Sequence, residues 1–113
     1  MSEVLAQLEK KGGGDISFSN ATLVGTLNAC TRNSTIQLSE TANTVIVFGV
    51  FDKGYGAITN IVGASAFFMG NTWNSANYAS FCAIFENLNT NSLVMNWSGG
   101  SSYFWSVAVV KVD

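Results

Sequence analysis

The sequence predicts an all-β protein: an antiparallel sandwich or jelly roll of about eight strands behind a short N-terminal helix. Three observations carry this. After residue 14 the apolar residues recur with a period near two rather than 3.6. The apolar segments are short, and turns rich in Gly, Asn and Ser separate them at fairly even spacing, which is how sandwiches and barrels read. Proline is absent from the chain, so no candidate strand holds a residue unable to donate to a ladder.

The elements follow in order. Residues 1–11 read as a helix that Ser2 can cap, with Val4, Leu5 and Leu8 on one face. Glu3 near its start and Lys10 and Lys11 near its end suit the helix dipole. A helix this short is unstable alone in water, so its apolar face must dock on something. Gly12, Gly13 and Gly14 end it and form a tether. The division is therefore an arm and tether at 1–14 and a β head at 15–113.

Residues 22–30 form the first long strand candidate, with Leu23 and Leu27 expected on one face and Val24 on the other. At 35–38, Ile36 and Leu38 alternate with Thr35 and Gln37. The run at 45–51 (VIVFGVF) is almost unbroken, as in a strand buried on both faces. Asp52, Lys53 and Gly54 supply a turn. Residues 57–69 hold one or two strands. At 78–86, Ala79, Phe81, Ala83 and Phe85 share a face. At 93–97, Leu93, Met95 and Trp97 oppose Val94 and Asn96. After a turn at 99–102, the closing strand 104–112 sets Trp105, Val107 and Val109 against Phe104, Ala108, Val110 and Val112.

Two of these strands, 45–51 and 104–112, are apolar on both faces, whereas the outer face of a lone sandwich is polar. The outer face therefore needs cover. A subunit interface is the simplest cover and the helical arm is the alternative. Composition agrees with association. Only 11% of the 113 residues are charged, 48% are hydrophobic, and the net charge is −2. Low charge density with high apolar content favours self-association. We expect a homo-oligomer, with a trimer favoured.

The same numbers exclude several functions. The five basic residues are scattered apart from Lys10 and Lys11, so no phosphate-binding patch is expected and nucleic acid is not a partner. The longest apolar run, 45–51, is far short of the roughly 20 residues of a membrane helix, so no membrane insertion is expected. Glu3 and Glu9 in the opening residues do not suit a signal peptide. We expect synthesis and retention in a cytoplasm unless lysis frees the protein. A bond between Cys30 and Cys82 would close a long loop. Without a secretory signal the expectation is free, buried thiols.

Histidine is absent, which removes Ser-His-Asp and Cys-His nucleophile arrangements and most zinc sites. Paired carboxylates are the remaining route to hydrolysis of glycosides. Asp15, Glu40, Asp52, Glu86 and Asp113 are scattered and each borders a turn. Nothing matches a phosphate loop or a dinucleotide fingerprint. The expectation is a protein that is not an enzyme and has no metal or cofactor. The suggestive grouping is aromatic plus amide. Asn71, Trp73, Asn74, Asn77 and Tyr78 lie in one polar stretch, and Asn96, Trp97, Tyr103 and Trp105 surround the Gly99-Gly100 turn. Sugar sites join an aromatic platform to amide and hydroxyl groups. Trp97 and Trp105 run in phase with core residues and read as core or interface. Trp73 sits among loop-forming residues and is either a ligand contact or a loop anchor. The expected ligand set is Asn71, Trp73, Asn74, Asn77 and Tyr78.

The opening, Met1-Ser2-Glu3-Val4-Leu5 followed by Leu8-Glu9-Lys10-Lys11-Gly12-Gly13-Gly14, resembles the start of small structural proteins of bacteriophages and prophages. In these a short amphipathic helix and a glycine tether attach a β-rich head to the virion. The Asn-, Ser- and Thr-rich, charge-poor remainder looks like the β heads of phage fibres and receptor-binding proteins, and residues 104–112 look like their closing strand. The resemblance implies a virion location, other virion proteins as partners through Val4, Leu5 and Leu8, and host-surface glycans as a ligand. Without a coiled coil or repeated shaft, a short spike, decoration or tip protein is favoured over a long fibre.

Overall fold

The structure, a computed structural model, describes residues 21–52, 58–71, 78–99 and 102–113. Among them are nine strands, one more than the pattern suggested: β1 (Thr22–Thr31), β2 (Ser34–Ala42), β3 (Val45–Asp52), β4 (Ile58–Ile61), β5 (Ala66–Asn71), β6 (Tyr78–Phe85), β7 (Thr90–Met95), β8 (Trp97–Gly99) and β9 (Tyr103–Lys111). The extra strand arises because Asn96 separates a short β8 from β7. The predicted helix with Val4, Leu5 and Leu8, the glycine tether and Asp15 lie outside the described residues. So do Lys53 and Gly54 of the predicted turn.

All pairings are antiparallel. A five-stranded sheet runs β1-β9-β3-β6-β5, and β2-β7 and β4-β8 form two-stranded ladders. Alternation explains the core. Val45, Val47 and Phe51 of β3, Ala79, Phe81, Ala83 and Phe85 of β6, and Phe104, Val107 and Val109 of β9 all point to one face and are buried. Ile36 and Leu38 of β2, Leu93 and Met95 of β7, Ile58 and Ile61 of β4, and Trp97 of β8 are buried with them in a single cluster. Each large side chain removed from water in this way contributes about 1.5–3 kcal/mol.

An aromatic stack joins the ladders to the large sheet. The Trp97 ring lies 3.8 Å from that of Phe104 at an interplanar angle of 26°. Phe104 in turn meets Phe81 at 4.6 Å. Arg32 closes the outer side of Trp97, with its guanidinium carbon 5.5 Å from the ring, and donates a hydrogen bond to the Gly99 carbonyl. Phe81 lies over Gly49, its partner across β3 and β6. A Cβ at Gly49 would stand 2.2 Å from the Phe81 ring edge, so that position has room for hydrogen alone.

Two bulges shift the expected faces. In β1, Leu23 pairs with Val110 and Gly25 with Val109, so Val24 is an extra residue. Leu23 is therefore turned outward, 60% exposed, while Val24 is buried and Leu27 packs against the core. Leu23 and Leu27, expected to share a face, are thus split between the two, with Leu27 on the side of Val24. In β9, Phe51 pairs with Phe104 but Val50 pairs with Ser106. Trp105 is the inserted residue. Phe104 is buried and Trp105 is 45% exposed, the opposite of the predicted phase for this pair. Beyond the bulge, Val107 and Val109 face the core as expected.

Cys30 and Cys82 are both free. Cys30 is buried and Cys82 half-buried. β9 and β3 lie between their strands. Three strand spacings amount to about 14 Å, twice the reach of a disulfide.

Candidate functional site: the outer face of the five-stranded sheet

The face of the large sheet turned away from the core is built from cross-strand rows. Ala66, Ile84, Ile46, Val110 and Leu23 form the first row, and Phe68, Cys82, Phe48, Ala108 and Thr26 form the second. Gly70, Ser80, Val50, Ser106 and Asn28 form the third. The two-sided hydrophobicity read from the sequence is thus real. The predicted burial of the 45–51 strand on both faces is not met within one chain, because Phe48 remains 46% exposed. Phe68 is 60% exposed. Between these two rings lies an open depression of about 520 Å³, floored by small side chains such as Gly70, Ser80, Cys82 and Ala108. Burial pushes the Cys82 thiol above its ordinary pKa, which keeps it protonated at neutral pH.

Beyond the third row the face ends in aromatics. Tyr78 opens β6 opposite Asp52. Its ring meets Trp105 edge-on at 6.2 Å, and Trp105 meets Tyr103 edge-on at 5.2 Å. Because β3 runs between β6 and β9, the Tyr78–Trp105 contact bridges over it. The β9 bulge makes this possible by turning Trp105 outward beside Ser106. The Ser106 hydroxyl donates to Asn28 Oδ1 at 3.4 Å, placing an amide and a hydroxyl next to the rings. Such a ladder offers apolar ring surface with polar groups at its margin.

The structure regroups the predicted site residues. Tyr78 is in the ladder. Asn71 ends β5 opposite Ala79 at the same end of the sheet. Trp73, Asn74 and Asn77 lie outside the described residues, between those two ends. The second aromatic group is divided. Trp97 belongs to the core, and Asn96 Oδ1 accepts the Trp97 amide at 2.9 Å. Trp105 and Tyr103 instead join Tyr78. Sequence reasoning missed Trp105 as a surface group. The available signal was the adjacent pair Phe104-Trp105, two large aromatics in succession that break an apolar–polar alternation.

The carboxylates are engaged structurally. Glu40 pairs with Lys111 at 2.7 Å. Glu86 accepts the Ser65 hydroxyl at 2.8 Å. Asp113 accepts the backbone N–H groups of Asn43 and Thr44 at 3.1 Å each. These three sit at the end of the sheet where β1 begins and β9 finishes. Asp52 stands at the aromatic end. Among the described residues no group of three His, Cys, Asp or Glu side chains could hold a metal ion. No helix among them is long and apolar enough to cross a membrane. The chain matches no family model, no curated protein and no solved structure.

Proposed function

We propose that the chain is a phage-type virion structural protein: an oligomeric β-sandwich head, without catalytic activity, that attaches to host-surface glycans. The observation that carries this reading is the placement of the aromatic ladder. Tyr78, Trp105 and Tyr103 occupy one end of the sheet, while β1 begins at the other. A head tethered through residues 1–14 would present its ladder away from the virion. Aromatic rings beside Asn28 and Ser106 suit a sugar, whose C–H face stacks and whose hydroxyls take hydrogen bonds. The low charge of the chain suits an uncharged ligand.

The test is a glycan array probed with the full chain, followed by Trp105→Ala. We expect selective binding that falls about tenfold in the variant, since a lost aromatic contact of this kind is worth about 1 kcal/mol or more. Unchanged binding by a folded Trp105→Ala protein sinks the ladder as the site. The same ladder would serve a monomeric carbohydrate-binding module. A stable monomer at micromolar concentration that still binds glycans selects that second reading.

A further inference from the structure

We propose that the three rows of the outer sheet face are the surface through which two copies of this chain associate, with the Phe68 ring of each copy seated in the Phe48–Phe68 depression of its partner. The inference deepens the reading of the chain as an oligomeric head and rests on it. No row contains a charged residue, and in the first two only Thr26 is polar. With Phe48 and Phe68 near half exposed or more, water meets a continuous apolar field rather than isolated side chains.

Area decides what covers it. Five strands about 4.8 Å apart give a face about 24 Å wide, and three rows span about 20 Å along the strands. That is about 480 Å² in flat projection, before relief from side chains is added. A stable interface takes about 800 Å² of accessible surface from each partner; this face supplies more than half of that in flat projection alone, so a copy of the same face fits as the centre of the contact. A ten-residue helix is about 15 Å long and 10 Å wide. The predicted arm would cover about a third of the field and leave the rest wet.

Relief points the same way. An isologous contact, which closes as a dimer instead of the expected trimer, needs a knob and a hole on one surface. Phe68 is the knob, and the depression floored by Gly70, Ser80 and Cys82 is the hole. The aromatic ladder lies beyond the third row, so association leaves its rings accessible to a ligand, with Asn28 and Ser106 of the third row at the margin of the contact.

The experiment uses the full chain in analytical ultracentrifugation, with Phe48→Lys, Phe68→Lys and, as a control on a different strand, Val94→Lys. Val94 is 53% exposed on β7. We expect an oligomer for the wild type and Val94→Lys, and monomers with unchanged circular dichroism for the two Phe variants. An oligomer that survives both Phe substitutions overturns the surface while leaving the oligomeric head standing. A monomeric wild type overturns both. Maleimide labelling of Cys82 in the wild type needs no variant. Protection that grows with protein concentration supports the proposal, and labelling independent of concentration overturns it. If Cys82 is protected at every concentration and becomes reactive when residues 1–14 are deleted, the arm is the cover and the proposal fails. Glycan binding is read separately, so loss of one reading does not decide the other.

Discussion

At the scale of single residues, backbone conformation and close contact set the sharpest constraints. Gly49 is one. Its missing side chain is the space taken by Phe81, which is itself held by Phe51, Phe67 and Phe104. Gly49→Ala forces that ring to move among neighbours that cannot yield. We expect a loss of about 1–3 kcal/mol in urea unfolding, although alanine suits a strand better than glycine. Ala29 is the converse. It holds φ at +52°, a conformation that an L side chain disfavours by about 1–2 kcal/mol. Its side chain is exposed, so removing it loses little packing. Ala29→Gly should raise the urea midpoint, and a lowered midpoint would show that the methyl group packs where none is seen. Asn33, Asn87 and Asn89 also have positive φ, and there the sequence already provides the residue type that tolerates it.

At the scale of elements, strand identity was legible and strand phase was not always so. Alternation placed Ala79, Phe81, Ala83 and Phe85 on the buried face of β6 without error, because no residue interrupts its pairing with β3. In β1 and β9 a single inserted residue turned Leu23 and Trp105 outward. A bulge leaves little trace in composition, so a period-two reading carries the phase straight through it. The same blindness hid part of the candidate site, since Trp105 reaches Tyr78 only by way of the bulge. The link between elements at the other end is electrostatic. Asp113 binds the turn between β2 and β3, and the Thr44 N–H, then that of Asn43 and the nearby Lys111 charge, hold its carboxyl below the ordinary aspartate pKa. A lowered folded-state pKa gives stability that is present above the unfolded value, near pH 4, and is lost as pH falls through the folded value. Asp113→Asn should therefore lower the urea midpoint at pH 7 and converge on the wild type in acid. Parallel curves at all pH values would mean that the carboxylate does not support the turn.

At the scale of the whole molecule, the sequence announced an all-β chain with apolar residues on both faces of its central strands, and this is what the strands build. It could not announce the order β1-β9-β3-β6-β5, because β1 and β9 become neighbours through contacts about seventy to ninety residues apart in the chain. No local pattern encodes such a pairing. The arrangement that brings Tyr78, Trp105 and Tyr103 together depends on the β9-β3-β6 part of that order, which is why the two aromatic groups looked separate in sequence. The predicted anchor Val4, Leu5 and Leu8 remains a matter of sequence, and its role belongs to the proposal. The ultracentrifugation and glycan-array outcomes bear on this scale, since both depend on the entire face rather than on any one strand.

β9 lies between β1 and β3 and hydrogen-bonds to both. Among the described strands it is the last to leave the ribosome. Until it emerges, the nascent chain can join β3 to β6 but leaves the facing edges of β1 and β3 open, with nothing to fill the gap. A chain cut short before residue 103 would lack the strand that joins β1 to β3, and would present both of those edges to any other unpaired strand it met.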